Sequence, residues 1–437
     1  MTNRYLGSGS ADCNDSSLTG PLPSHLPPRL AITLWDFSWY TQAGPGQPYE
    51  DLDAVTADAA SLGYNAIRIC AAPLLLFGGV GLDGLAADLE IEGLGASPHG
   101  GFFGQRTRWY DAPGGYRIDL YARLLGLFEA AERHGMVVIL ASWEYQQSTA
   151  FAASSTWFEA IDGVPLAHRY GALAAAWDRL IVWLTALGHR EGIAMVELHN
   201  EVDYSILPAL ANGGVAAVAL LRAKHPDLLF TASFGKPPHL AMHALPDGLS
   251  AAQCHVYSYG VLDELQKILA IRSDRSPGFP NAPLRSLLRA DAPTPEEYGR
   301  AASWKFEATV VTDQMIYGYD WIDPVAWDAW LFTEYPAYER VMLREIESRT
   351  IAIAAWARWK TIPAVVGEGW IGYTPLLGSF EESRVGHRLA EHGIETALRH
   401  GVWGVVLCSN AAAHHPMWRQ REWQRQLTAR VTGFVPH

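Results

Sequence analysis

Residues 131–140 read AERHGMVVIL: a basic last helical turn, a glycine to close it, then an apolar run of strand length. Residues 398–407, LRHGVWGVVL, repeat the device. Cations in the last turn complement the helix dipole and a following glycine ends the helix, so each stretch is a helix stop fused to a strand start. Working outward, strand-length apolar runs entered from Gly or Pro stops recur at Leu30 to Asp36, Tyr64 to Cys70, Met136 to Trp143, Ile193 to Asn200, Leu228 to Phe234, Ala251 to Tyr257, Ala364 to Glu368 and Val402 to Ser409. Amphipathic segments lie between them; Leu173, Trp177, Leu180, Ile181, Leu184 and Leu187 share one face of a helix. Strands apolar throughout need helices over one face and packed side chains on the other. Eight such units predict an α/β fold, a (β/α)8 TIM barrel. An open doubly wound sheet is the alternative, weakened because Gly44 and Gly46 after the first strand form no GxGxxG turn.

Composition agrees with one large core. The chain has 437 residues, 49% hydrophobic and 18% charged, which excludes wholesale disorder. Its 46 acidic residues against 33 Lys and Arg give a net charge of −13, which argues against nucleic acid as a partner. The longest apolar stretch, Val164 to Leu187, is cut by His168, Arg169, Asp178 and Arg179, so it predicts a core helix and no membrane partner. The opening MTNRYLGSGSADCNDSSLTGPLPS lacks an apolar centre with a cleavage site, so residues 1–28 are expected to be a flexible tail and 29–437 a single catalytic barrel. Cys13, Cys70, Cys254 and Cys408 form no CxxC pair; reduced thiols in a cytoplasmic protein are expected.

Two connections exceed ordinary loop lengths: Ala71 to Tyr116 after the second strand, and residues 258–335 after the sixth. Both follow strand C-terminal ends, the functional face of a barrel, so these inserts should wall a pocket. The second carries Trp304, Phe306, Tyr317, Tyr319, Trp321, Trp327, Trp330, Phe332 and Tyr335, which suit a subdomain core or a ligand platform equally.

Because a barrel interior is packed and its C-terminal rim faces the ligand, polar residues ending apolar strands are the informative ones. Alternation along AMVELHNEVD puts Glu197, His199 and Glu201 on one side with Glu201 at the rim, and along AVVGEGW it puts Val366, Glu368 and Trp370 together. Strands four and seven face each other across a barrel mouth. Glu201 and Glu368 are therefore expected over one cavity, the arrangement of paired-carboxylate glycoside chemistry; carboxyl groups about 5 Å apart would give retention. Arg68 in NAIRIC is the lone charge of an apolar strand and needs a buried anion, while His255 and Tyr257 share a face of the sixth strand, from which Tyr257 could reach Glu368. Glu197, a layer deeper, suits Arg68. Glu144 and Asp203 are further acids near the rim. His199, Glu201, His255 and Glu368 could in principle hold a divalent ion, but no HxH, HExxH or Asp-rich cluster supports a metal, and no cofactor is expected.

Taken together, RIC with Arg68, HNE with Asn200 and Glu201, HVY with His255 and Tyr257, and GEGW with Glu368 resemble the retaining glycosidases of the cellulase-like clan, nearest glycoside hydrolase family 5. The resemblance implies Glu201 as acid/base, Glu368 as nucleophile, Asn200 as partner of the sugar 2-hydroxyl, and Arg68, His255 and Tyr257 as support on the nucleophile side. Departures are Val202 where the family commonly has Pro, Trp143-Glu144 at the end of strand three where it usually has His, and Ser409-Asn410 at the end of strand eight where it places a sugar-stacking Trp. Trp370, Trp35, Trp39 or Trp143 could replace that platform. The expectation is a retaining glycoside hydrolase acting on a small β-linked carbohydrate. The alternatives are a non-catalytic sugar-binding barrel and a transglycosylase using the same two acids. Exo or endo action and oligomeric state are not legible.

Overall fold

The structure, a computed structural model, describes residues 17–79, 81–82, 84–272, 277–372 and 374–434. Cys13 lies outside them. The eight predicted strands form parallel staves: β1 Leu30–Asp36, β2 Ala66–Cys70, β3 Val137–Ala141, β4 Ile193–Glu197, β5 in two segments Phe230–Thr231 and Ser233–Phe234, β6 Ala252–Ser258, β7 Ala364–Ile371 and β8 Gly404–Val406. Each pairs with the next, and β8 pairs with β1 through Leu30 and Gly404, which closes the barrel. The nine strand segments make eight staves because β5 is interrupted at Ala232.

The outer layer contains α1 Leu52–Ser61, α2 Leu120–Arg133, α3 Arg169–Ala186, α4 Gly214–Lys224, α5 Pro324–Lys360, α6 Arg384–Arg399 and α7 Arg421–Thr432. Side chains of Asp51, Asp119 and Asp323 accept from the first-turn N–H groups of α1, α2 and α5, and Pro324 opens α5, so the starts are capped as polar N-cap chemistry requires. Both junctions read from the sequence hold. Gly135 and Gly401 follow α2 and α6 at φ +68° and +76°, and a Cβ at Gly401 would lie 1.8 Å from the Ser17 carbonyl oxygen. Between β5 and β6 the described crossover has only the single 3-10 turn Met242–Ala244 in place of a helix.

Inside the staves, Leu30, Ile32, Ile139, Met195, Val365 and Trp403 form an apolar plug distinct from the larger core between staves and helices. Apolar filling at this end leaves polar layers for the other. Residues 17–28, part of the expected tail, lie against the plugged end: the Thr19 hydroxyl donates to the Ile362 carbonyl and accepts from the Ala364 N–H, and the Trp403 indole donates to the Pro27 carbonyl. Cys70, Cys254 and Cys408 are buried free thiols.

The inserts sit at the mouth and are tied to each other. Asp320 accepts from the Gly104 and Arg106 N–H groups at 2.8 Å, and the buried Lys305 ammonium donates to the carbonyls of Gly93, Ala150 and Ala152. The second insert runs into α5, which begins at Pro324, so its last twelve residues belong to the barrel's own helix. Tyr317, Tyr319, Trp321, Trp327 and Tyr335 are buried, and none of the nine aromatics named above lines the mouth. Tyr317, Tyr319 and Trp321 give the insert a core, while Trp327 and Tyr335 are buried residues of α5.

Candidate active site

Above the apolar plug the barrel interior turns polar, beginning with Arg68. Its Nε and Nη2 donate to Glu197 Oε2 and Oε1 at 2.9 and 2.7 Å, a two-pronged pairing that fits a guanidinium to a carboxylate. Nη2 also reaches Asn200 Oδ1 at 2.6 Å, and Nη1 donates to Glu368 Oε1 at 2.7 Å. All of this is buried, and Trp143 covers the guanidinium with its ring centroid 4.6 Å away. Burial opposes the charge on Arg68, but the two carboxylates outweigh it and push its pKa up.

Glu368 receives a second donor from the Tyr257 hydroxyl, 2.9 Å from Oε2. Tyr257 is placed by a 2.8 Å hydrogen bond with Ser409 Oγ, which in turn accepts from the Gly369 N–H at 2.9 Å. Ser409, where a tryptophan was expected, thus braces two staves and aims Tyr257. Its short side chain gave no sign of this in the sequence.

Glu201 stands opposite. Its backbone is in the left-handed region, φ +40°, its N–H donates to Ser233 Oγ at 2.8 Å, and Gln146 donates to Oε2 at 2.9 Å. His255 bridges the acids: Nδ1 is 2.8 Å from Glu201 Oε1 and Nε2 is 3.6 Å from Glu368 Oε1. The expected support for Glu368 is therefore shared, with the shorter contact on Glu201. Burial alone would depress His255, but the Glu368 charge and the Glu201 hydrogen bond raise it above the ordinary imidazole value. One ligand atom each from Glu201, His255 and Glu368 lie within 4.8 Å of one another. By distance these three could hold a cation, but an ion there would sit against the guanidinium already bonded to Glu368.

The other candidates divide. Asn200 is in place, its amide donating to Gln146 Oε1 at 2.7 Å. Trp143 lines the cavity, whereas Trp370 does not: its indole donates to the Val406 carbonyl, and its ring packs where a Cβ on Gly393 of α6 would fall, so the helix layer takes this large ring. Trp35 packs on Tyr49, ring centroids 5.3 Å apart, because β1 turns Leu34 and Asp36 inward instead, and Trp39, beyond the strand, donates to the Cys70 carbonyl; both are buried away from the cavity. Glu144 accepts the Leu74 and Leu75 N–H groups and the Trp157 indole, and burial raises its pKa to about 7. His199 accepts from the Tyr145 N–H and is lowered by burial to about 4. Both are structural. Asp36, Trp109, Gln146 and Ser409 were missed; Asp36 carried the signal of a charge ending an apolar strand, whereas nothing in the local sequence marks the other three.

Two cavities meet at Glu201 and Tyr257, and Glu368 faces the smaller of them. The larger, about 480 Å³, is lined by Gln146, Glu201, Lys236, Tyr257 and Arg349 among others. The smaller, about 80 Å³, is lined by Asp36, Trp109, Trp143, Tyr257, Glu201 and Glu368. Glu201, Tyr257, Tyr259 and Val310 border both.

Residues 32–80 and 317–432 match the model of a family described as sugar-binding cellulase-like. These segments hold Arg68, Glu368 and Ser409; Asn200, Glu201, His255 and Tyr257 fall outside them and join the site through the fold. No curated protein matches the chain in sequence. Among solved structures, a provisionally assigned glycoside hydrolase from Parabacteroides distasonis superposes with a TM-score of 0.63 at 20% identity, covering 93% of this chain and 94% of its own. A glycoside hydrolase family 5 mannosidase from Rhizomucor miehei gives 0.49 at 11% identity, covering 97% and 98%. In its barrel and in its family-model match, the chain is similar to the cellulase-like glycoside hydrolases.

Proposed function

We propose that this protein is a retaining glycoside hydrolase acting on a small β-linked glycoside by double displacement. The observation that carries the proposal is the approach of Glu201 from β4 and Glu368 from β7, which bring carboxylate oxygens within 4.8 Å of each other over one cavity. Retaining glycosidases hold their carboxyl groups about 5–5.5 Å apart, whereas inverting ones need room for a water between. Glu368 attacks the anomeric carbon, with Arg68 and Tyr257 donating to its two oxygens so that the carboxylate is aimed rather than free to rotate. Glu201 gives its proton to the leaving oxygen as that bond breaks, then takes one from the water that attacks the glycosyl–Glu368 ester and regenerates both acids. His255 and Gln146 orient Glu201 from two sides. The inserts roof the mouth, which favours short substrates over polymer.

A panel of aryl β-glycosides and furanosides, run with wild-type and variant protein, tests this. Glu368→Ala should lower turnover by several powers of ten with the fold intact, and Glu201→Ala should cost more on poor leaving groups than on activated ones. Equal losses for Glu201→Ala on both substrate types refute its acid/base role. Tight glycan binding with no turnover, indifferent to Glu368, marks a sugar-binding barrel instead.

A further inference from the structure

Asp36, the last residue of β1, has no part in that reaction, yet it is built into the same chamber. It is 3% exposed; Oδ1 accepts the Ser38 N–H at 2.5 Å, while Oδ2 is buried without a hydrogen bond. A buried polar atom without a partner is costly, and one facing a cavity wall is matched when a ligand supplies the missing group. Like Glu201, Asp36 sits at positive φ, here +38°, holding its side chain toward the mouth. Behind it, the Tyr49 hydroxyl lies 2.7 Å from His414 Nδ1, and burial lowers His414 to about 3, keeping the ring neutral. With Tyr49 donating to Nδ1, the ring proton is on Nε2, 3.7 Å from Asp36 Oδ2, and approaches without closing a bond.

The chamber's charge states what it accepts. Glu201 and Glu368 line it beside Asp36, and the nearby Arg68 is already engaged by Glu368 and Glu197, so the charge of Glu368 repels an anionic sugar. Burial, reinforced by the charge of Glu368, pushes the Asp36 carboxyl well above the usual carboxylate range, and a carboxyl in either protonation state can pair with a sugar hydroxyl, which both donates and accepts. The chamber is small, about 80 Å³, and is roofed by Trp109 and Tyr110 from one insert and Val310 from the other. The larger cavity on the far side of Glu201 has the room for a leaving group.

We infer that Asp36 reads a free hydroxyl of a neutral terminal sugar held against Glu368, and that the chamber it closes makes the enzyme exo-acting. The inference rests on the glycosidase reading and specifies its substrate class: neutral glycosides with an unblocked non-reducing end.

The test pairs substrate and protein changes. The aryl glycoside that wild-type protein cleaves best, and its monodeoxy analogues, are assayed with wild type, Asp36→Ala and Asp36→Asn; the asparagine variant keeps an acceptor for the Ser38 N–H if alanine fails to fold. The parent substrate should lose roughly ten- to hundredfold in kcat/KM on substitution, while one deoxy analogue is turned over equally by wild type and variant. An aryl oligosaccharide blocked at its non-reducing end should be inert. The same fold-loss on every analogue means Asp36 only supports the fold; cleavage of the blocked substrate, or a preference for amino-sugar or uronic acid glycosides, overturns the class. If wild type cleaves no glycoside, the hydrolase reading fails by itself. Calorimetry with the free neutral sugars then decides the Asp36 assignment: binding weakened by Asp36→Ala for the parent sugar but not for one deoxy sugar supports it, and any other result overturns it.

Discussion

Arg68 donates to Glu368 at 2.7 Å while the rest of its guanidinium is committed to Glu197 and Asn200, so one cation from β2 links residues of β4 and β7. The distance from 68 to 368 along the chain becomes a single hydrogen bond because both staves point inward at the same height.

Removing that cation should unfold before it inactivates. Arg68→Met leaves Glu197 and Glu368 buried without the guanidinium that links them, and breaking a buried pair in this way costs about 3–5 kcal/mol. Urea denaturation should show this loss, and adding Glu197→Gln should recover part of it.

Tyr257→Phe isolates the other donor. A hydrogen bond to a charged group is worth about 1.5–3 kcal/mol, so kcat should fall roughly ten- to hundredfold with KM little changed. Ser409→Ala should give a milder loss of the same kind, since it loosens Tyr257 without removing the hydroxyl. Steady-state kinetics on one aryl glycoside compares the two.

His255 makes the pair of acids pH-sensitive. Its folded pKa is raised above the ordinary 6.5. Its contribution to stability is therefore complete below that value and disappears as pH rises through the folded pKa. Nitrogen-15 NMR titration should place the imidazole above 6.5 in wild type and lower in Glu201→Gln. The stability gap between the two proteins, from urea melts, should narrow as pH increases.

Gly235 leaves the space that Glu201 occupies. A Cβ there would fall 2.5 Å from Glu201 Oε1 and 2.8 Å from the Tyr204 ring. Gly235→Ala should displace the acid and reduce turnover of poor leaving groups more than of activated ones, with the far-ultraviolet circular dichroism unchanged.

The sequence by itself determined the alternation of strand and helix, because helix stops, apolar runs and glycine turns are local signals carried by consecutive residues such as 131–140 and 398–407. It also located Arg68, Glu201 and Glu368, since a charge in or at the end of an apolar strand stands out against its neighbours. Which atoms meet was settled only by the closed barrel. Trp370 follows Glu368 by two residues but is taken by the α6 layer, His255 divides itself between the acids, and Ser409 serves where an aromatic ring was expected. Trp109 reaches the same chamber from a segment with no local mark of function, and Asp36, although a charge ending an apolar strand, is brought to it only by the fold. Such placements depend on the space left by side chains from other staves and inserts, and contacts between residues hundreds of positions apart have no signature in either stretch alone.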